Sequence, residues 1–360
     1  MTKTILPVSF FFGANKTEKY CSLYPEMYNP YEKGNHLILK GGPGTGKSTI
    51  MKKIAKKLEE EGCFVERGYC SADPNSLDVV MAEEKGFSIV DGTAPHTFDP
   101  TTPGVNESIV DLSIAWDKKY LKSHGEPICE LIKENKRLHR RAAEYLDVAR
   151  QMDNATSLLC ASFLNREKLE RYAFRLAERE IPPTKGRERG KERRRFLSAI
   201  SPDGVFVQHD TVVALAERII TIEDEYSVAS SFVSEYVSEY ALNMGYDVYK
   251  CYCPLFPLSK AEHIIIPELK LCLFTQNSFH FSLDDREKLV HATRFFDKEQ
   301  MQKNKEKIRF YKKVKKEFTD EAVKKLSLAL DVHNRLEDFY IKATDFSVVD
   351  EVTETLLQSI

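Results

Sequence analysis

Short runs of consecutive apolar residues alternate along this chain with stretches in which apolar residues return every three or four positions. The first texture belongs to strands buried on both faces, the second to amphipathic helices. His36-Leu37-Ile38-Leu39-Lys40 is such a run, and Ile50, Met51, Ile54, Ala55 and Leu58 follow at helical spacing. Phe64 to Tyr69 and Phe87 to Val90 read as further strands. From about Val105 to Ile181 glycine and proline are sparse, and Ile128, Leu131, Ile132, Leu138, Ala142, Tyr145, Leu146 and Ala149 keep a helical period. This predicts two antiparallel helices standing off an α/β core, with a matching arm from Phe310 to Leu357. The apolar start, Ile5 to Ala14, is interrupted by Pro7 and reads as the first structural element rather than a leader.

The pattern occurs twice, displaced by about 180 to 185 residues. Phe11-Phe12-Gly13-Ala14 returns as Phe196-Leu197-Ser198-Ala199, Leu37 to Lys40 as Ile219 to Ile222, and Val79-Val80-Met81 as Ile264-Ile265-Ile266. Gly62, Tyr69, Cys70 and Pro74 meet Gly245, Tyr252, Cys253 and Pro257, and Trp116-Asp117-Lys118 meets Phe296-Asp297-Lys298. The expected organisation is a first domain over 1–181, a basic linker over 182–195 and a second domain over 196–360. Pro182 and Pro183 stop a helix there, and Gly186 and Gly190 loosen the chain. Lys185, Arg187, Arg189, Lys191, Arg193, Arg194 and Arg195 make the segment basic. Three readings stand: a solvated linker, a strip for nucleic acid or another anion, or an arginine finger supplied by one of Arg193 to Arg195.

Between the first strand and its helix lies Gly41-Gly42-Pro43-Gly44-Thr45-Gly46-Lys47-Ser48-Thr49, the form G-x-x-x-x-G-K-S. Glycines let the backbone curl so that successive N–H groups face one phosphate chain, and the helix start adds its positive field. Lys47 would reach the terminal phosphates, and the Ser48 hydroxyl would ligate Mg²⁺. Asp91 closes the strand Phe87 to Val90, where a carboxylate would stand beside the metal shell. Gly92 follows it, so a water-activating group must come from elsewhere; Asp73, His96 and Asp99 are the candidates, with Asp73 preferred. In the second half the loop reads Glu223 to Ser231, with Ala229 facing Lys47, Phe256 facing Asp73 and Thr275 facing Asp91. His96 keeps a counterpart in His280. Three acidic residues in or beside that loop would repel a phosphate tail, so the second site is expected to be inactive.

Composition narrows the class. A chain of 360 residues exceeds one ordinary core, and 42% hydrophobic with 30% charged residues describes a globular protein. A net charge of -2 provides no global attraction to nucleic acid or anionic lipid. No apolar run approaches the roughly 18 residues of a membrane span. The 8 cysteines are scattered, which predicts reduced thiols and a cytoplasmic location.

The loop Gly41 to Thr49, the stretch Cys70-Ser71-Ala72-Asp73-Pro74 and the segment Asp91-Gly92-Thr93-Ala94-Pro95-His96 resemble a family of poorly characterised bacterial tandem P-loop ATPases. The resemblance runs over nearly the full chain, although the second loop departs from the family's pattern. It implies nucleotide binding and hydrolysis. The residue pattern itself predicts an α/β protein of two tandem P-loop NTPase-like, three-layer domains with parallel sheets, each carrying a helical hairpin, and assigns ATP and Mg²⁺ as ligands, with Lys47, Asp73 and Asp91 catalytic and Ser48 and Asp91 holding the metal. Hydrolysis of ATP by the first half is the leading expectation. The alternatives are a small-molecule or nucleotide kinase with Asp73 as base, and an ATP-dependent switch or scaffold whose arms bind a protein partner. GTP is not excluded by the motif.

Overall fold

The computed structural model describes residues 8–14, 21–94, 97–281 and 287–360. The apolar runs pair into two six-stranded sheets. The first contains β1 (Val8–Phe11), β2 (Asn35–Lys40), β3 (Glu66–Tyr69), β4 (Leu77–Ala82), β5 (Phe87–Asp91) and β6 (Glu107–Asp111), in the order β1-β3-β4-β5-β2-β6. The second contains β7 (Glu192–Arg195), β8 (Arg218–Glu223), β9 (Val248–Tyr252), β10 (Ala261–Ile266), β11 (Leu271–Gln276) and β12 (Glu287–His291), in the order β12-β8-β11-β10-β9-β7. Read from opposite edges, the two orders are the same.

The protein is thus α/β, with two sheet-bearing halves, but the sheets are mixed rather than wholly parallel. β4 runs antiparallel to β3 and β5, and β10 to β9 and β11; the other pairings are parallel. The cause is chain length. A parallel crossover needs a dozen or more residues, and the few between β3 and β4 suffice only for a turn. The β3–β4 and β9–β10 pairs also carry a bulge at the same place. Gly68 faces Val79 and Tyr69 faces Leu77, leaving Asp78 unopposed; Cys251 faces His263 and Tyr252 faces Ala261, leaving Glu262 unopposed.

The pairing also corrects the repeat by one residue in three places. β4 and β10 superpose with Val79 on His263, and β2 and β8 with Leu37 on Ile220. The buried positions Ile50, Met51, Ile54, Ala55 and Leu58 of α1 (Lys47–Glu60) then coincide with buried Val233, Ser234, Val237, Ser238 and Ala241. Lys47 therefore faces Ser230, not Ala229, and the loop Gly41 to Thr49 faces Asp224 to Phe232. Left-handed backbone at both Gly44 (φ 67) and Ser227 (φ 51) agrees with this register.

The arms also differ from simple hairpins. Each is one long helix and a short return: α2 (Gly125–Ala161) with α3 (Arg166–Glu180), and, after α4 (Ala229–Asn243) of the second core, α5 (Lys305–Ala343) with α6 (Phe346–Gln358). The returns are exchanged. One compact unit comprises the chain up to Ala143 with Ile200–Gly204 and Ala322–Ile360; the other comprises Glu144–Ala199 with Val205–Glu321. These are not the contiguous 1–181 and 196–360 expected from the repeat. In the first unit the Asp345 N–H bonds the Ala115 carbonyl at 2.8 Å, and the Asp117 N–H bonds the Ala343 carbonyl at 2.6 Å. The second unit repeats this with Asn165 N–H to Phe295 O at 2.7 Å and Asp297 N–H to Phe163 O at 2.8 Å. Side chains of Asp345 and Asn165 cap the helices that follow.

In the first unit α1 and α6 share one apolar cluster over the sheet, Val349 and Leu356 joining Leu37, Leu39, Ile54 and Val80. The other face is closed by irregular chain, with Tyr28 stacked on His36 at 3.6 Å and Phe98 edge-on to Tyr24 and Tyr28. Loop thus stands where the three-layer expectation placed helix.

Because α6 completes the first core, Leu356→Ala should destabilise that unit by about 2–4 kcal/mol. Hydrogen exchange should locate the loss in α1 and the first sheet and leave α4 unaffected.

Candidate functional site

β2 delivers the chain at Lys40 into a turn whose curvature requires two glycines with positive φ, Gly44 at 67° and Gly46 at 89°. Close approach fixes two others. A Cβ on Gly41 would meet Thr45 Oγ1 at 2.8 Å, and one on Gly42 would meet the Tyr340 ring at 2.6 Å. The buried Thr45 hydroxyl donates to the Gly42 carbonyl at 2.8 Å and braces the bend. The Gly46 carbonyl accepts the Ile50 N–H, so α1 begins with Lys47, and no side chain caps it. The N–H groups of its first turn are left for an external acceptor.

The Lys47 ammonium lies over this bend, donating to the carbonyls of Gly41 at 2.9 Å and Gly42 at 2.6 Å. It is 3.6 Å from an Asp91 oxygen. β5 pairs directly with β2, Leu39 opposite Asp91, which is why the two expected partners meet. The other Asp91 oxygen accepts the Thr93 N–H at 2.9 Å and the Thr93 hydroxyl. Gly92 is required by space, since a Cβ would lie 2.5 Å from Ile38. Ser48 Oγ accepts the Leu77 N–H at 2.9 Å, tying the start of α1 to β4 and leaving its hydroxyl proton and a second lone pair uncommitted in that bond.

The remaining candidates separate. Asp73 lies in the turn between β3 and β4, its carboxylate accepting the Asn75 N–H at 3.1 Å. Asp99 forms an ion pair with Lys40 at 2.7 Å, and the same ammonium holds the carbonyls of Gly92 and Phe98. His96 falls outside the described residues. One acid was not legible as a site residue. Asp78, the residue set free by the bulge, is buried within reach of the charges of Asp91, Lys47 and Asp73 and hydrogen-bonds Cys70. Burial foremost, then the Asp91 charge, pushes its pKa up to about 8. Alternation along a strand would have turned it to the face opposite Leu77 and Val79; an unpaired residue escapes that parity.

The second unit presents the same bend with other chemistry. Asp224 stands where the first loop has Gly41, and its buried carboxylate accepts the N–H of Tyr226 at 3.1 Å, the N–H of Ser230 at 2.9 Å and the Ser230 hydroxyl at 3.2 Å. A side chain of the protein itself thus takes up the N–H groups of this bend. Lys260 and Lys315 converge on Asp153 at 2.9 and 2.5 Å. Glu262, His263 and His280 bring one ligand atom each within 4.8 Å of one another. His263 Nδ1, however, accepts the Thr275 N–H at 3.1 Å, which leaves the proton of the neutral ring on Nε2 and no lone pair there for a metal. Burial holds the pKa values of both histidines down, and His280 Nε2 lies 3.0 Å from Ser198 Oγ, so His280 is a packing residue.

The basic segment is not a loose linker. Glu192–Arg195 form β7, the sheet edge beside β9. Arg187 pairs with Glu268 at 2.8 Å, Arg189 with Glu239 at 2.8 Å and Arg193 with Asp247 at 2.6 Å, while Arg195 is buried. Three of these guanidinium groups are thus held by acids of the same unit, and the placement of Arg193 to Arg195 in this strand gives no support to an arginine finger.

Comparison with protein-family models, curated proteins and solved structures finds no match for the chain. Among the described residues no helix is long and apolar enough to cross a membrane.

Two tests follow. An acid kept protonated up to about 8 gives the folded chain an extra proton over the unfolded one between the ordinary aspartate value and about 8, so its contribution to stability falls as pH rises through that window. The melting temperature of Asp78→Asn relative to wild type should climb from pH 5 to pH 8 and then level off; a constant difference would contradict a buried acid. Asp224→Ala strips a buried acceptor from three donors and should cost the second unit about 2–4 kcal/mol by chemical denaturation.

Proposed function

We propose that the first unit binds a nucleoside triphosphate with Mg²⁺, ATP in preference, and hydrolyses it, and that the second unit is an inactive copy. The observation that carries this reading is the position of Lys47, held between the carbonyls of the glycine bend and the carboxylate of Asp91. The donor set suits the ligand. The segment Gly41, Gly42, Pro43, Gly44, Thr45, Gly46, Lys47, Ser48 and Thr49 offers the backbone N–H groups of every residue but Pro43, a helix start and one ammonium to a polyanion. Ser48 and Asp91 offer the hard oxygens that Mg²⁺ takes, with Asp91 acting through water.

In this mechanism a phosphate chain draws the Lys47 ammonium off the Gly41 and Gly42 carbonyls, and the ammonium neutralises charge at the phosphoryl group in transfer. Bound Mg²⁺ would supply Lewis-acid stabilisation of the same charge. Asp91 would help hold the metal with the oxygen that now faces Lys47, while Thr93 fixes the carboxylate plane. Asp73 lies in the turn above and remains the group assigned to place or deprotonate water. A phosphorylated acceptor in place of released phosphate would assign Asp73 to a kinase instead. Nucleotide uptake without turnover would leave a switch, with the arms as the partner surface.

Calorimetry with Mg·ATP should show one site per chain, weakened at least about 100-fold by Lys47→Ala, because a charge-assisted contact to a desolvated phosphate is worth about 3 kcal/mol. Competition with Mg·GTP measures the base preference, and phosphate release measures turnover. Uptake unchanged by Lys47→Ala refutes the reading.

A further inference from the structure

The polarised N–H groups of both glycine-type bends draw in a carboxylate, but from different places. In the second unit the loop supplies its own, Asp224. In the first unit the helix supplies it. The end of α5 runs across the bend: a Cβ on Gly44 would lie 2.9 Å from Ile341 and 3.2 Å from the Glu337 backbone and Cβ, and Tyr340 covers Gly42. Glu337 thus lies directly against Gly44, with His333 at 3.4 Å on its own helix, and His333 foremost, with the Gly44 amide and the Lys47 charge, holds its carboxyl below the usual range. The turn after α5 is pinned by the Asp117 to Ala343 and Asp345 to Ala115 bonds. At the equivalent position of α2 stands Ser157, whose hydroxyl donates to the Tyr226 carbonyl at 3.1 Å. The helix therefore brings an acid only to the loop that lacks one.

We propose that Glu337 is an autoinhibitory plug: its carboxylate takes the place of a phosphate at Gly44, and the last turns of α5, with Tyr340 and Ile341, must lift from the bend before nucleotide enters. The inference rests on the nucleotide reading above. A phosphate oxygen and the Glu337 side chain cannot both occupy the space at Gly44, so the ligand competes with a tethered anion. The apparent dissociation constant is then raised by the inverse of the open fraction. Asp224 is one residue of its own loop and stays in place; Glu337 sits on a separate helix and can leave with it.

The test compares wild type, Glu337→Gln and Glu337→Ala as full chains, with Mg·ATP as the probe. Both substitutions should tighten binding about 10-fold, the size of one charge-assisted hydrogen bond. Because removing a negative charge near any phosphate site could tighten binding by itself, hydrogen exchange supplies the second readout. Mg·ATP should speed exchange of the wild-type amides at 337–343 while slowing those at 44–48. In Glu337→Ala without ligand, the Gly44 amide should already exchange faster. Tighter binding without loosening of 337–343 reduces Glu337 to a repelling charge and overturns the plug. Equal affinity in all three proteins overturns it while leaving the nucleotide reading intact. No uptake by any of them, at millimolar Mg·ATP, removes both.

Discussion

A helix that begins with no side-chain cap, at the end of a bend of inward-facing amides, needs negative charge at its start. This need organises both units. Four orphan N–H groups and the positive end of the backbone dipole coincide at α1 and again at α4. The second unit meets the need permanently, with Asp224 fastened by Tyr226 and Ser230. The first uses glycine at that position and leaves the demand to groups from outside the loop. Lys47 and Asp91 then follow as the charged pair beside this uncapped start, and the proposed catalytic role of this half depends on its N–H groups remaining open to exchange.

The second organising constraint is the exchange of return helices. α6 belongs by sequence to the second half and by packing to the first core, where Val349 and Leu356 lie among side chains of α1 and the first sheet. α3 has the opposite allegiance: Leu169, Ala173 and Leu176 join the cluster of α4 and the second sheet. The exchange places two short backbone ladders at the matching turns. Each α/β core is therefore completed by chain from the other half, which is also what brings Glu337 to the first loop.

Much of this was legible in the sequence, and the failures have physical causes. The loop Gly41 to Thr49 and the strand end at Asp91 could be found because their residue types are dictated by backbone curvature and charge. The doubled architecture could be found because buried positions repeat. The antiparallel β4 and β10 were missed because a fully buried run reads alike in either direction. Asp78 was missed because its placement depends on a bulge, which is a property of two strands and not of either alone. The one-residue errors at Ser230 and His263 arose where apolar neighbours are interchangeable; the ladder fixes what similarity of type cannot. Partner choice by α3 and α6 is a long-range matter that helical periodicity does not encode, and Arg187, Arg189 and Arg193 looked free only because Glu268, Glu239 and Asp247 are distant in sequence.

Ser227 deserves a closing thought as a relic. It holds a left-handed conformation that costs a side-chain-bearing residue about 1–2 kcal/mol, at the position where its twin has glycine. The two loops differ in nearly every side chain and still share this kink. It is thus owed to the handover from β8 to α4 itself, so that the path of the backbone is set by the strand and helix it joins and not by the side chains it carries.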